Sequence, residues 1–239
     1  MMIPREDGFG HYEGHARRHG RLFRDRKDAG VQLSAALRAY AGRNALVLAI
    51  PRGGVPVAYE VANHLQGELD VIVARKIGAP SQRELAIGAV ASDGTRYVNA
   101  RLQKLANVSA AALERLSDLE RHEAEQREQR FRGGLPALQP QGRIAIVVDD
   151  GLATGATMLA AVRSLRARGA EHIVIAAPVG SVEACNALAP EADALVCPHR
   201  PEPFYAVGHY YEDFDQTSDE EVEHYLHAQR QKLGTALRM

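Results

Sequence analysis

The chain is poor in several residue types on which whole classes of protein depend. It contains no tryptophan and only two cysteines, Cys185 and Cys197, which lack metal-type spacing and make a weak case for a disulfide. No stretch approaches the roughly 18 apolar residues of a membrane span, and the N-terminus lacks the apolar core of a signal peptide. We therefore expect a soluble, cytoplasmic protein with reduced thiols.

The chain also lacks an excess of charge of either sign. Its 29 lysines and arginines nearly balance its 30 acids, which gives a formal net charge of −1. Such a balance offers no bulk attraction to nucleic acid or to an anionic membrane, so neither is expected as a partner. With 239 residues, the chain is long enough to bury a substantial core.

The most informative segment is an apolar strand that ends in two acids and a turn of small residues. It comprises the strand 144–148, the acid pair Asp149 and Asp150, and the turn residues Ala153, Thr154, Gly155, Ala156 and Thr157. Ligands of open α/β sheets bind at the carboxyl ends of strands, and N–H groups at a helix N-terminus bind anions. Carboxylates for sugar hydroxyls beside a phosphate cradle predict a sugar phosphate as ligand. The alternative, an ordinary strand-to-helix turn, needs neither the acid pair nor both threonines.

A second turn of similar character follows an earlier strand. Pro51-Arg52-Gly53-Gly54 opens a helix, its glycines let the backbone fold around an anion, and Arg52 supplies a planar permanent charge. Lys76 lies just past the next predicted strand. Because these segments end strands of one predicted sheet, we expect their side chains to converge on one crevice. A plain turn remains the alternative for the Arg-Gly-Gly sequence alone.

Strands alternate with helices along most of the chain, which predicts a parallel sheet with right-handed crossovers. The predicted strands are 45–50, 69–74, 144–148, 172–177 and 194–197, and helices are predicted at 28–41, 55–66, from the acid-pair turn to 168, and at 181–188. Residues 1–26 are interpreted as an arm and 27–239 as a single domain. In the arm His11, His15 and His19 recur every four residues, but nearby glycines oppose the helix that a metal site would need.

A long passage over 77–142 interrupts this alternation. Its first part, 78–99, has short apolar stretches between glycines and predicts a mobile hairpin. Its second part, 109–132, predicts a helix with many charges of both signs and a stripe of three leucines. We interpret it as a solvated helix docked at one end. A coiled-coil contact in a homodimer is the alternative, although three leucines fall short of sustained heptads.

The acid-pair turn resembles the phosphoribosyl-pyrophosphate (PRPP) binding motif of type I phosphoribosyltransferases, over about fourteen consecutive positions. The Arg-Gly-Gly turn falls where these enzymes place their pyrophosphate loop. The resemblance implies an α/β fold with a Rossmann-like parallel sheet flanked by helices, a small hood at 198–239 and a helical insertion. Residues 78–99 look like the family's flexible closing loop, with Arg83 and Glu84 as polar residues that either act there or are simply exposed charges.

The resemblance also implies a role for each candidate residue. The acid pair would bind the ribose hydroxyls and favour the positive charge that develops on the ring, which makes it the expected catalytic group. The turn 153–157 would hold the 5-phosphate. The pyrophosphate would be bound with Mg²⁺ as cofactor by Arg52, Gly53, Gly54 and Lys76.

An aromatic segment at 204–214 is similar to a stretch of hypoxanthine-guanine type phosphoribosyltransferases, in which an aromatic residue stacks on the base and an acid helps to hold Mg²⁺. The resemblance assigns Phe204 and its neighbour Tyr205 to the acceptor and Glu212 to the metal. Packing at the core edge is the alternative for these aromatics. Those enzymes read the base with a lysine that 175–180 does not contain, so the identity of the base stays open.

Over roughly 20–230 the chain is similar to a poorly characterised group of predicted phosphoribosyltransferases with the same motifs. We predict a Mg²⁺-dependent transferase of nucleotide metabolism that moves phosphoribosyl from PRPP to a nitrogen acceptor, expected to be a nucleobase, and releases pyrophosphate. A PRPP-binding regulatory or sensor protein without transferase activity is one alternative, and an inactive interaction module is another. Kinase and dehydrogenase functions are disfavoured because neither glycine-rich signature is present.

Overall fold

The computed structural model describes residues 20–236 and contains two sheets. The strands are β1 (Leu46–Ala49), β2 (Glu68–Val71), β3 (Ala74–Ala79), β4 (Gln82–Ala91), β5 (Arg96–Val98), β6 (Ile144–Val148), β7 (His172–Ala176) and β8 (Ala194–Val196). The α-helices are α1 (Arg26–Ala36), α2 (Gly54–Leu65), α3 (Ala100–Leu105), α4 (Ala110–Arg132), α5 (Ala156–Ala167), α6 (Val182–Leu188) and α7 (Asp219–Ala236). The five-stranded sheet has the order β2-β1-β6-β7-β8 and is parallel throughout, which confirms the predicted fold class.

The parallel sheet is buried on both faces, which explains why its strands are continuous apolar runs. On one face Val47 and Ala49 pack with residues of α1, α2 and α7. On the other face Leu46 and Leu48 pack with residues of α5 and α6. Strand β6 is third of the five, so the acid pair that follows it emerges at the middle of the carboxyl edge.

The passage predicted as a hairpin belongs to a second, antiparallel sheet of order β3-β4-β5. One face packs Ile77 and Ile87 against Leu113 of α4. The other face packs Ala89 against Ala156 in the first turn of α5. This sheet therefore connects the helical insertion to the helix that carries the predicted phosphate turn.

Helix α4 coincides with the helix predicted at 109–132, but its three leucines do not account for its packing against the rest of the protein. Leu113 is buried, whereas Leu119 is 65% exposed. The C-terminal half is held more firmly, because Phe131 is 1% exposed and Arg132 is also buried. Leu119 therefore does not contribute to docking, and the apolar periodicity did not reveal the buried ion-pair network at the other end of the helix.

That network links α4 to β2 through charged side chains. Asp70 on β2 is fully buried, and Arg132 Nε donates to its Oδ1 at 3.0 Å. Arg132 Nη1 donates to Glu128 Oε1 at 2.5 Å, and the Ser92 hydroxyl donates to Glu128 as well. Burial opposes the charge of Arg132, but the carboxylates of Glu128 and Asp70 outweigh it and raise the pKa of the guanidinium. The network holds the insertion at the point where the chain enters β3.

Loss of the cation in this network is expected to be costly. Arg132→Met leaves buried Asp70 with only the Arg230 guanidinium, 3.9 Å away, as counter-charge, and breaking a buried pair typically costs about 3–5 kcal/mol. Urea unfolding at neutral pH measures the change. Arg121→Met on the same helix is the control, because Arg121 pairs with Asp118 and Glu125 at the surface and its loss should cost less than about 1 kcal/mol. Equal losses in the two variants would contradict this account.

Helix α7 begins with a reciprocal cap, whereas part of the N-terminal arm is not described. Ser218 caps α7: its hydroxyl accepts from the Glu221 amide at 3.1 Å, while the Glu221 carboxylate accepts from the Ser218 amide at 2.7 Å. His11, His15 and His19 lie outside the described residues.

Two predictions from composition also have a structural outcome. Cys185 and Cys197 are buried and unpaired by a disulfide. Among the helices formed by residues 20–236, none is long and apolar enough to cross a membrane.

Candidate functional site

The acid pair forms the centre of the candidate site. The Asp149 amide still donates to Ala176 of β7 at 3.2 Å, so the sheet holds the pair in place. Asp149 Oδ1 accepts from the Asp150 amide at 2.9 Å, and Asp150 Oδ2 accepts from Arg26 Nε at 2.8 Å. Among the contacts of the described residues, each carboxylate therefore uses one oxygen for the protein and keeps the other for a ligand.

The electrostatics of the pair are unfavourable in the protein alone. Burial, followed by the charge of Asp150, raises the pKa of Asp149 well above its usual value. Burial also raises the pKa of Asp150, although the charge and hydrogen bond of Arg26 oppose that effect. Two desolvated carboxylates side by side favour hydroxyl donors and positive charge. The site is thus suited to a sugar on which cationic character develops.

The glycine turn at 51–54 passes directly over the acid pair. A Cβ on Gly53 would lie 2.0 Å from Asp150 Oδ2, and one on Gly54 would lie 2.7 Å from the Val148 carbonyl oxygen. No side chain fits at either position without displacing an acid or the strand end. The structure therefore brings the backbone of this turn and the acid pair together, as the sheet topology predicted.

The two basic residues assigned to the pyrophosphate behave differently. Arg52 Nη1 pairs with Asp219 Oδ1 at 3.2 Å, and Asp219 Oδ2 pairs with Arg130 at 2.8 Å, so the Arg52 guanidinium is directed to the start of α7. Lys76 is exposed on β3. Its positive charge offsets a small part of the rise in the pKa of Asp149. Within residues 20–236 Lys76 makes no ion pair, which leaves its ammonium available to an anion.

The predicted phosphate turn ends at a helix N-terminus with the geometry of an anion site. Gly155 is the N-cap of α5 with φ of 73°, and a Cβ there would approach Leu188 Cδ1 to 2.9 Å, so glycine is required twice over. The first bond of the helix runs from the Leu159 amide to the Gly155 carbonyl. The amides of 156–158 precede it and are free to bind an anion, beside exposed Thr154.

The rest of this turn is held from the neighbouring helix. The Ser181 hydroxyl donates to the Ala153 carbonyl at 3.1 Å, and the Ser181 amide donates to the Leu152 carbonyl at 2.8 Å. Ala153 is exposed and Thr157 is half-buried in the first turn of α5. The five turn residues thus form one short segment next to the acid pair.

The aromatic segment forms a cluster over the same edge. Phe204 packs on Tyr210 with ring centroids 5.4 Å apart, within a cluster that also contains buried Phe23. Tyr205 is 71% exposed. Glu212 is also exposed, and its backbone amide donates to the Phe23 carbonyl at 2.8 Å. The exposed ring of this segment is therefore Tyr205, whereas Phe204 lies in the packing of the core edge.

Sequence reasoning missed three residues that complete the site. Tyr211 donates its hydroxyl to the Asp150 carbonyl at 2.6 Å, Arg26 binds the Asp150 carboxylate, and Asp219 holds Arg52. Their partners lie far along the chain, so no local pattern could have indicated them. Of the two polar residues of the hairpin, Glu84 is exposed, and the side chain of Arg83 lies outside the described part of the structure.

The donors present fit Mg²⁺ only if a substrate supplies further oxygens. Within residues 20–236 no three His, Cys, Asp or Glu side chains cluster to hold a metal by themselves. The acid pair does offer carboxylate oxygens that no residue of the described range 20–236 uses, and Mg²⁺ commonly binds through one or two carboxylates together with substrate phosphates.

Comparison with known proteins decides the family. The model of the phosphoribosyl transferase domain matches residues 24–213. The chain belongs to the phosphoribosyltransferase family. It is 46% identical over 206 residues to the Mycobacterium tuberculosis protein called "Putative phosphoribosyl transferase", a match that covers 86% of this chain and 46% of that protein. This phosphoribosyltransferase chain thus spans about half the length of the curated relatives it matches.

Solved structures of two other proteins share the fold of this chain. The protein TT1426 from Thermus thermophilus is 40% identical with a TM-score of 0.76, over 87% of this chain and 99% of that one. A hypothetical protein from Neisseria gonorrhoeae, solved with bound ppGpp, has a TM-score of 0.50 at 13% identity over 89% of this chain and 98% of its own, and shares the fold. The predicted resemblance to type I phosphoribosyltransferases is confirmed.

The raised pKa of Asp149 predicts a pH-dependent gain in stability on neutralisation. The pKa of Asp149 is higher in the folded protein than in the unfolded chain, so ionisation of Asp149 lowers stability at pH values above its folded-state pKa. This cost disappears as the pH falls from the folded-state pKa to the unfolded-state pKa. Asp149→Asn should therefore stabilise the protein at pH 7, by about 1.4 kcal/mol for each unit by which the pKa is raised. The gain should shrink towards pH 4.

Urea unfolding at both pH values measures this effect. Asp118→Asn is the control, since the Asp118 carboxylate is 59% exposed and should give no pH-dependent gain. A gain for Asp149→Asn that is the same at both pH values would mean that packing, and not charge, is responsible.

Proposed function

We propose that this phosphoribosyltransferase transfers the 5-phosphoribosyl group from PRPP to a nitrogen atom of a small acceptor and releases pyrophosphate. The observation that carries the proposal is the arrangement of three elements along one sheet edge. A pair of half-buried carboxylates lies between a helix N-terminus at Gly155 and a glycine turn at Gly53 and Gly54. A sugar with an anionic group at each end is the ligand that this order of elements would recognise.

Each element has a part in holding PRPP. The amides of 156–158, with the hydroxyls of Thr154 and Thr157, would bind the 5-phosphate. The unused oxygens of the acid pair would accept hydrogen bonds from the ribose hydroxyls. The Gly53-Gly54 backbone and Lys76 would contact the pyrophosphate, with Mg²⁺ neutralising its charge when bound.

Chemistry at the anomeric carbon needs no protein nucleophile. The bond from that carbon to the pyrophosphate oxygen breaks, and the electron pair leaves with the pyrophosphate. The acceptor nitrogen supplies the pair for the new bond and loses its proton to the released pyrophosphate or to water. Positive charge develops on the ring as the first bond lengthens, and the half-buried carboxylates of Asp149 and Asp150 are preorganised to favour it. Their unfavourable electrostatics without ligand are relieved in that state.

The acceptor is proposed to be a nucleobase that enters beside the aromatic cluster. Tyr205 is 71% exposed and its ring lies 5.3 Å from that of His209, so a flat heterocycle can stack there without displacing core residues. Phe204 and Glu212 remain proposals for contacts to the base and to Mg²⁺. A protein that binds PRPP and transfers nothing is the second candidate, and the experiment below separates the two.

Calorimetric titration with PRPP, with and without Mg²⁺, tests the proposal. We expect Mg²⁺-dependent binding that weakens at least about 100-fold in an Asp149→Ala/Asp150→Ala double variant, a loss of about 2.7 kcal/mol. Pyrophosphate release is then measured with a panel of nucleobases. PRPP binding without pyrophosphate release in the presence of any of the nucleobases would favour a PRPP-binding protein that transfers nothing. The absence of PRPP binding by the intact protein would contradict both functions.

A smaller change tests the fit of the glycine turn. Gly53→Ala places a methyl group against Asp150 Oδ2, so PRPP affinity should fall about tenfold or more while the fold persists. Gly142→Ala is the matched control. Its φ of 66° makes alanine strained, but nothing lies within 4 Å of the added Cβ, so stability should fall while binding stays. Unchanged affinity in Gly53→Ala would remove this turn from the site.

The ion pair of Arg52 predicts a gain of affinity. Asp219→Asn frees the Arg52 guanidinium from its internal anion, so inorganic pyrophosphate should bind about three- to tenfold more tightly, or about 0.7–1.4 kcal/mol. Calorimetry with pyrophosphate and Mg²⁺ measures this. Glu223→Gln is the control because Glu223 pairs with Arg130 and not with Arg52. Equal affinities in wild type and Asp219→Asn would show that Arg52 does not reach the anion.

A further inference from the structure

One guanidinium connects the acid pair to two other parts of the chain. Arg26, the first residue of α1, donates from Nε to Asp150 Oδ2 at 2.8 Å and from Nη1 to the Asp215 carbonyl at 2.6 Å. Its guanidinium carbon lies 3.9 Å from the ring centroid of Phe214. The side chain is only 11% exposed, so these contacts are largely screened from water.

The same guanidinium lies against the glycine turn. A Cβ built on Gly53 would be 3.2 Å from Arg26 Nε, and 2.0 Å from the Asp150 oxygen that this nitrogen binds. From the hood, Tyr211 donates its hydroxyl to the Asp150 carbonyl at 2.6 Å. Helix α1, the aromatic segment and the glycine turn thus meet at Asp150. The Arg26 side chain extends from α1 and contacts the other two.

The charge of Arg26 has a direct effect on the acid. Burial raises the pKa of Asp150, and the Coulombic attraction and hydrogen bond of Arg26 are the largest effects that lower it. The other charged or titratable groups around the pair are Asp149 beside it, Tyr211 from the hood and Lys76 from β3. Of these, Arg26 alone donates a hydrogen bond to the Asp150 carboxylate among the described residues.

We propose that Arg26 is a positioning residue for PRPP binding, acting through Asp150 and not on the substrate. By engaging Oδ2 it fixes the plane of the carboxylate and leaves Oδ1 for a ribose hydroxyl. Through Phe214 and the Asp215 carbonyl it also ties that orientation to the aromatic segment. The proposal rests on the proposed function, since it assigns to this arginine a part in the same PRPP site.

The alternative is that the contact only stabilises the fold, and the two roles predict different responses to substitution. A structural role would lower stability without a specific effect on PRPP. A positioning role requires that the effect on PRPP depend on Asp150. Lysine retains the charge but has no planar fork, so it can compensate Asp150 without holding Asp215 at the same time. Arg26→Lys should therefore restore only part of the affinity.

The test is a double-mutant cycle on the full chain, read as the dissociation constant of PRPP with Mg²⁺ by calorimetry. The variants are Arg26→Gln, Arg26→Lys, Asp150→Asn, and Arg26→Gln combined with Asp150→Asn. The control is Arg24→Gln, since Arg24 is 70% exposed near the start of the same helix and pairs with Asp28. Thermal unfolding of each variant separates stability from affinity.

We expect Arg26→Gln to weaken PRPP binding about tenfold or more, Arg26→Lys to weaken it less, and Arg24→Gln to leave it unchanged. In the Asp150→Asn background, Arg26→Gln should have little further effect, because residues that act through one another are not additive. Should Arg26→Gln fail to fold, Arg26→Lys in both backgrounds gives the same cycle.

Two results would overturn the inference alone: PRPP affinity in Arg26→Gln equal to wild type, or an equal loss in both Asp150 backgrounds. Both leave the proposed function intact, because the wild-type protein still binds PRPP. Failure of the wild type itself to bind PRPP would overturn the proposed function and this inference with it. The wild-type titration therefore distinguishes the two failures.

Discussion

The candidate site depends on two neighbouring carboxylates that are held at the carboxyl end of the central strand. Burial raises the pKa of both Asp149 and Asp150, and the charge of Asp150 raises that of Asp149 further, a net loss in the protein alone. Such an arrangement persists where surrounding groups over-determine it. Here the β6–β7 pairing fixes Asp149, while Arg26 and Tyr211 fix Asp150 from two distant parts of the chain. The strain of the pair is what a cationic transition state would relieve.

The elements around the pair follow from that constraint. The glycine turn can pass within contact distance of the acids only because Gly53 and Gly54 have no side chains. Helix α5 begins with its amides exposed because Gly155 provides a left-handed cap, and the antiparallel sheet packs on the first turn of that helix. The buried pairing of Asp70 with Arg132 in turn anchors the insertion where the chain enters this sheet. Packing far from the acids thus supports their geometry.

The features of the site that depend on neighbouring residues could be predicted from the sequence. The contacts between residues far apart in the chain could not. The strand before Asp149 and the glycines at 53–54 have residue patterns that determine both conformation and chemistry within a few positions. By contrast, Arg26 meets Asp150 only through the fold, and Asp219 meets Arg52 in the same way. The hairpin at 78–99 can be recognised from its glycines and short apolar stretches, but its packing against α4 and α5 depends on contacts that no short pattern contains.

In the proposed function, one PRPP molecule spans two anion sites on either side of the acid pair. Phosphorus NMR of PRPP bound in the presence of Mg²⁺ tests it most directly, because the 5-phosphate and the pyrophosphate give separate resonances. We predict that both shift on binding, and that Thr154→Ala/Thr157→Ala mainly affects the 5-phosphate signal whereas Gly53→Ala mainly affects the pyrophosphate signals. Perturbation of one group alone, or equal effects of both variants on all signals, would contradict the two-site account.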